Sequence, residues 1–361
     1  MFIAILLFLL ADVVLLWAIA RFYLQGPSMA TFDAPTPPPA QNDQVSPAHG
    51  AAVERVRGLG GDGTRPSGRQ AMLQSMRSAM DDMGREVAFD GDIRAVDIPA
   101  GDGTVRAEWV LAANSNPDRR LLYLHGGAFT AGSPLSHRAI TTEYATRLGW
   151  SVLAVDYRLM PEHRRRAGID DCQAAYRWII DNGPNGAAAA DRLVVSGDSA
   201  GGNLTLVVLA WARDQGLRAA DAAVALCPAT DGTLGSPSMR DNVPTDVMLG
   251  PLLGRVVAAP RAVLLWFGWV SNRILPRDPI VSPLHGNLSN LPPTLVHASS
   301  AEMLFDDGVR YVNKAQAAGS VAELGVWQGL LHVWHIFVRD VPESQQAFDQ
   351  IEAFIRRHAG E

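Results

Sequence analysis

Serine, histidine and carboxylate side chains at the ends of apolar runs are where this sequence has chemistry to offer, and the densest such place is Gly197-Asp198-Ser199-Ala200-Gly201-Gly202. The run Arg192-Leu193-Val194-Val195-Ser196 before it is short enough for a buried parallel strand, and Leu204 to Asp214 after it has a helical pattern. Ser199 therefore falls at the tip of a strand-to-helix turn that small neighbours permit, the placement of a nucleophile in acyl transfer. A Gly-x-Ser-x-Gly match alone also describes a glycine-rich connection whose serine caps the next helix. The nucleophilic reading thus requires oxyanion donors, a base and an orienting acid elsewhere in the chain.

The donors are expected upstream, where the apolar Leu121-Leu122-Tyr123-Leu124 runs into His125-Gly126-Gly127-Ala128-Phe129. A loop of small residues bares its N–H groups to the negative charge that develops on a carbonyl oxygen. The spacing favours the N–H groups of Gly127 and Ala128, joined by that of Ala200; Gly126 belongs to the same oxyanion loop and serves its turn. His125 is expected to brace this loop rather than act as a base. For the acid, Pro293 to Ser299 is expected as a strand, followed by Glu302, Asp306 and Asp307 and a helix through Ala318. Glu302 lies nearest the strand end, whereas acids in a first helical turn simply satisfy the helix dipole. For the base, a last strand over Val321 to Gln328 leads to His332 and His335. His332 is preferred because it sits on the loop that can reach back to Ser199, and His335 suits a hydrogen-bonded core position.

Together with Asp156-Tyr157-Arg158-Leu159-Met160-Pro161-Glu162, Asp170-Asp171-Cys172 and Tyr176-Arg177-Trp178, these residues resemble the hormone-sensitive lipase family of α/β-hydrolase esterases, also called bacterial family IV, over about 50–358. The resemblance implies a triad of Ser199, an acid and His332, an oxyanion hole at the first loop, and hydrolysis of carboxylic esters with short to medium acyl chains. It implies no cofactor. The sequence departs from the family pattern in carrying Glu302-Met303 where an Asp-Pro pair is usual, and Ala128 as the third residue of the glycine loop. Alanine keeps its N–H and tolerates the same chemistry provided the backbone there does not demand a positive φ. Arg164, Arg165 and Arg166 stand in a row as a solvated loop or a contact for anionic lipid head groups. The same residues would serve an amidase or deacetylase of the arylacetamide deacetylase type; a non-catalytic small-molecule receptor on this fold is disfavoured by the presence of His332.

The positioning elements follow from strand-like and helix-like runs that alternate. Val105 to Leu111, Leu121 to Leu124 and Val152 to Val155, with helices at Ile140 to Leu148 and Ile169 to Ile180, predict an α/β fold whose mostly parallel sheet is flanked by helices. Two segments break the alternation, a helical Val53 to Met83 and the long insertion Asp231 to Asn287. They are expected to form a helical cap from about 49–90 and 231–287 within a hydrolase domain over 49–361. Inside the insertion, Ala262 to Val270 is almost wholly apolar and too short to span a bilayer; it is expected to pack within the cap, with insertion into a lipid interface as the alternative.

The first 24 residues begin with Met1 to Ala20, apolar except for Asp12. About 20 residues at about 1.5 Å each reach across a hydrocarbon core of about 30 Å, so an N-terminal transmembrane anchor is expected. Ala18-Ile19-Ala20 leaves a cleaved signal peptide, and hence a secreted or periplasmic protein, as the alternative. Residues 25–48, with Pro35-Thr36-Pro37-Pro38-Pro39, are expected as an extended tether. A net charge of −6 argues against general nucleic-acid binding, and Cys172 and Cys227 make neither a disulfide framework nor a metal site. A lipophilic small-molecule ester and membrane lipid are the expected partners.

Overall fold

Runs such as Leu121-Leu122-Tyr123-Leu124 have no polar side to show to water, so they are stable only where both faces of a sheet are covered. In the computed structural model, which describes residues 2–35, 37–58, 68–101 and 103–360, they form the centre of an eight-stranded sheet. The strands are β1 (Gly91–Ala100), β2 (Gly103–Ala112), β3 (Asn116–Leu124) and β4 (Trp150–Asp156), then β7 (Arg192–Asp198), β8 (Ala222–Leu226), β9 (Thr294–Ser299) and β10 (Ala322–Trp327). A two-residue ribbon, β5 (Asn182–Gly183) with β6 (Gly186–Ala187), lies outside the sheet. The spatial order is β1-β2-β4-β3-β7-β8-β9-β10; β2 is antiparallel to β1 and β4, and the remaining neighbours are parallel.

Alternation along β3 divides the core in two. Leu122 and Leu124 join a cluster with α5 (Arg165–Asp181), α6 (Ala200–Asp214) and α10 (Phe305–Ala317), whereas Leu121 and Tyr123 join one with α4 (Arg138–Leu148) and α11 (Pro342–Ala359). The parallel strands all point their C-terminal ends to one edge, where loops rather than sheet residues carry chemistry. The sheet also has a first strand that sequence reading did not single out. β1 pairs with β2 alone and is mostly exposed, so its hydrophobic signal is weak.

Of the segments singled out by sequence, Met1, Thr36, 59–67 and Glu361 lie outside the described residues. The helical stretch before the sheet is α2 (Pro47–Gly58) and α3 (Arg69–Arg85), and the insertion carries α7 (Ser238–Asp241), α8 (Gly250–Val257) and α9 (Arg261–Asn272). The N-terminal apolar segment is helix α1 (Phe2–Ile19), running into a π-helical turn over Ala20–Leu24. Among the described residues no single helix is long and apolar enough to cross a membrane.

The proline-rich stretch differs from an extended tether. Asp33 receives the Arg310 guanidinium at 2.6 Å, Asn313 Nδ2 donates to the Phe32 carbonyl at 2.9 Å, and Gln41 N–H donates to Val326 O of β10 at 2.8 Å. Asn42 exchanges hydrogen bonds with the Gln328 backbone, and Ser46 Oγ donates to Glu343 at 2.8 Å. Prolines remove donors and so bar the stretch from becoming a full strand, yet its carbonyls and Asx side chains remain free to be gripped by the domain. It is a strap, not a spacer.

Candidate active site

β7 ends at Asp198 and α6 begins at Ala200, so Ser199 alone must turn the chain. It does so at φ 52° and ψ −115°, a conformation that costs on the order of 1–3 kcal/mol and persists only where the surroundings enforce it. Ser199 N–H donates to Leu226 O at 2.7 Å, and Asn203 N–H donates to Ser199 O at 3.0 Å. The flanking glycines are dictated by close approach: a Cβ at Gly201 would lie 1.8 Å from Leu124 O, and one at Gly197 would lie 2.5 Å from both Gly201 O and Leu124 O.

The loops after β9 and β10 bring two further side chains to Ser199. Its Oγ–H donates to His332 Nε2 at 2.9 Å, and His332 Nδ1–H donates to Glu302 Oε2 at 2.5 Å. The other Glu302 oxygen accepts Ser299 N–H at 2.8 Å, which fixes the carboxylate in its fully buried pocket. Burial alone would push the His332 imidazole down; the hydrogen bond and charge of Glu302 outweigh it and hold it above its ordinary value. The chain can therefore pass a proton from the hydroxyl to an imidazole whose positive form is stabilised.

The competing residues are engaged elsewhere. Asp306 accepts Ser238 N–H at 2.7 Å, and Asp307 accepts the N–H groups of Thr230 and Asp231 at 2.7 and 2.9 Å and the Ser236 hydroxyl, so both acids anchor the insertion. Burial and the neighbouring Asp231 carboxylate push Asp307 up to about 7. His335 shares a 3.0 Å hydrogen bond with His297 in the core. His125 stacks on Tyr157 and donates through Nδ1 to Gly126 O at 2.8 Å; burial brings it down to about 3.

In the oxyanion loop Gly127 has φ 112° and Ala128 φ 53°. Among the described residues no protein acceptor pairs with the N–H of Gly127, Ala128 or Ala200. Gly126 is different and corrects its grouping with these donors: its N–H donates to Asp198 Oδ1 at 2.9 Å and is not free for a substrate oxygen. Asp198 also accepts the Tyr123 hydroxyl at 2.6 Å and meets His137 Nε2 at 3.3 Å. Burial opposes charge on both partners, but their mutual attraction holds the His137 imidazole above and the Asp198 carboxyl below their ordinary values. Sequence reading missed this buried pair; the one available signal was an acidic residue inside the Ser199 turn.

Ala128 occupies the positive φ that its Cβ disfavours. Ala128→Gly keeps the N–H and removes a cost of about 1–2 kcal/mol, set against about 0.4–1 kcal/mol of added unfolded-chain entropy. The expected result is unchanged hydrolysis and a stability gain of up to about 1.5 kcal/mol in chemical denaturation. A loss of stability would show that the methyl group is packed rather than strained.

The three consecutive arginines do not form one solvated or lipid-facing row. Arg165 is buried, donates to Asn203 Oδ1 at 2.8 Å and lies 3.5 Å over the Phe129 ring, while Arg166 pairs with Asp170. A guanidinium sandwiched there stiffens the loop carrying Gly127 and Ala128. Among the described residues the one cluster with a metal-ligand donor set is Cys227, Glu302 and His332. Its carboxylate and imidazole already bond each other, so the arrangement is suited to proton transfer rather than to an ion.

The profile of the α/β-hydrolase fold family matches 121–336, a span holding Ser199, Glu302 and His332. An acetyl-hydrolase of Streptomyces hygroscopicus is 34% identical over 289 residues, covering 77% of this chain and 90% of that protein. The crystal structure of EstE5 soaked with p-nitrophenyl butyrate superposes with a TM-score of 0.71 at 33% identity, covering 88% of this chain and all of that one. An esterase of the bacterial hormone-sensitive lipase family superposes with a TM-score of 0.74 at 30% identity over the same shares.

Proposed function

Because this chain belongs to the hormone-sensitive lipase family of α/β-hydrolases and is a serine carboxylesterase, we propose that Ser199 is its nucleophile, His332 its base and Glu302 its orienting acid. His332 Nε2 takes the hydroxyl proton as Ser199 Oγ attacks the ester carbonyl, and Glu302 holds the imidazolium that results. The N–H groups of Gly127, Ala128 and Ala200 receive the tetrahedral oxyanion. His332 then returns its proton to the departing alcohol, and water, deprotonated by the same imidazole, releases the acid. The observation that carries this reading is the unbroken Ser199–His332–Glu302 hydrogen-bond chain beside three unpaired N–H groups.

Short acyl esters are the proposed substrates, on the support of the acetyl-hydrolase relative and the butyrate ester soaked into EstE5. The described residues of 49–90 and the insertion 231–287 form the cap, since α3 grips the oxyanion loop through Arg77, which donates to Thr130 O at 2.7 Å, and Asn242 of the insertion donates to Glu302 O at 2.8 Å. The N-terminal segment is a membrane anchor, because Phe8, Leu9, Leu10 and the run Val13 to Trp17 are apolar and exposed. A hydrolysis series of p-nitrophenyl esters from acetate to palmitate is expected to peak at short chains. Fractionation is expected to leave the full chain in the membrane pellet after an alkaline wash. A peak at palmitate would overturn the substrate assignment, and release into the supernatant would overturn the anchor.

A further inference from the structure

We propose that the outward faces of α8 and α9 form a platform that rests on an anionic lipid leaflet beside the N-terminal segment; this builds on the membrane-anchor reading above. Leu252 and Val256 of α8 are 55% and 44% exposed, and Val263, Phe267 and Val270 of α9 are 56%, 63% and 51% exposed. The spacings i, i+4 and i, i+4, i+7 place each set on one helical stripe. These are not core faces turned the wrong way. α8 buries Val257, which packs with Leu249 and Leu253 against Met303 and Leu304 beside Glu302, and α9 buries Leu264 and Leu265. Among the described residues each helix thus has a second apolar stripe left about half open, the kind of surface that marks an interaction site.

Charge selects the occupant. Residues 250–277 carry Arg255, Arg261, Arg273 and Arg277 with no Asp or Glu, in a chain whose net charge is −6; Arg255 and Arg273 are exposed, whereas Arg261 is held by Thr233 and Arg277 by Tyr23 O. An apolar stripe flanked by arginines matches the head-group and acyl boundary of an anionic bilayer. A second copy of the chain fits poorly, because a two-fold contact through this face would set arginine against arginine. The two helices meet at 112°, so they lie along a surface rather than crossing it as one span.

The attachment of α1 supports the same orientation. Trp266 Nε1 donates to Leu16 O at 3.0 Å, Arg277 Nε donates to Tyr23 O at 2.7 Å, and Ala20 and Leu24 are buried against Leu265. The strap from Asp33 to Ser46 then ties the chain to the domain. A membrane holding α1 is therefore brought to α9 with no slack between them.

The test uses full-length protein in vesicles with or without phosphatidylglycerol, labelled with an environment-sensitive fluorophore at one introduced cysteine. Cys172 and Cys227 are fully buried, so labelling falls on the new thiol. Phe267→Cys is expected to shift its emission to the blue on vesicle addition, to be quenched by lipid-borne spin labels, and to respond more strongly with the anionic lipid. Val14→Cys reports the anchor separately, and Asp92→Cys on β1 is expected to stay unchanged. A Val14 response without a Phe267 response would overturn the platform and leave the anchor standing; a Phe267 response without a Val14 response would keep the platform and remove the anchor. A concentration-dependent Phe267 shift without vesicles would assign the face to a second copy of the chain instead. The triple variant Val263→Glu, Phe267→Glu, Val270→Glu is expected to hydrolyse soluble p-nitrophenyl butyrate normally while losing about tenfold or more on an ester dissolved in the bilayer. Equal losses on both substrates would overturn the proposal.

Discussion

Ser199→Ala is expected to lower ester hydrolysis on the order of a millionfold while the protein remains folded, since triad members act as a unit and removing the nucleophile forfeits them all. The size follows from the geometry: His332 Nε2 faces Ser199 Oγ at 2.9 Å, and with alanine in its place the imidazole has no hydroxyl to deprotonate. A residual rate of about 10³ to 10⁴ over water should survive, because the N–H groups of Gly127, Ala128 and Ala200 can still polarise a carbonyl for attack by solvent. Folding is expected to be unaffected, as the elbow is held by backbone bonds from Ser199 to Leu226 and Asn203 that alanine retains. Turnover of p-nitrophenyl butyrate and labelling by a fluorophosphonate probe both read the result. Activity within tenfold of the parent would remove Ser199 from the mechanism.

Glu302→Gln is expected to cost about 10⁴ in kcat, and the reason lies in the second carboxylate oxygen. Ser299 N–H donates to Glu302 Oε1, so a glutamine there must turn its carbonyl toward Ser299 and its NH2 toward His332 Nδ1. Nδ1 then becomes the acceptor, the proton moves to Nε2, and the imidazole can no longer take the serine proton. Asp306→Asn should change the rate little, because an asparagine oxygen can still accept Ser238 N–H. The reverse ranking would move the acid. Measured against pH, kcat/KM of the parent should rise through a midpoint above 6.5, where the raised His332 loses its proton, and that limb should shift to lower pH in Glu302→Gln. The same raised value makes the pair's contribution to stability full below the unfolded pKa and lost as pH rises through the folded one. Thermal melts should therefore show Glu302→Gln losing more stability at pH 5 than at pH 9.

The sequence exposed those parts of the site that depend on local backbone constraint. Gly197 and Gly201 are legible because no side chain fits against Leu124 O, and the buried strands are legible because a run covered on both faces is apolar throughout. Glu302 is the acid that the sequence puts nearest a strand end, and it is the one of the three candidates that lies against His332. What escaped depends on contacts between distant segments. The Asp198–His137 pair links β7 to the residue before α4, and nothing in either segment alone announces it. Arg165 looks like one of three solvated cations until Phe129 and Asn203 arrive to bury it. The strap was misread for the same reason, because composition reports that a stretch will not pair with itself and is silent on whether a folded neighbour will hold it.

Asp198, which lies immediately before Ser199 and grips Gly126 of the donor loop, has a mechanical consequence. The Ser199 turn and the loop of the proposed oxyanion amides are coupled through one covalent step and one hydrogen bond, rather than through the breadth of the sheet. A shift of β7 relative to β3 carries both along together, so their spacing is buffered against the drift that substitutions elsewhere in the core impose.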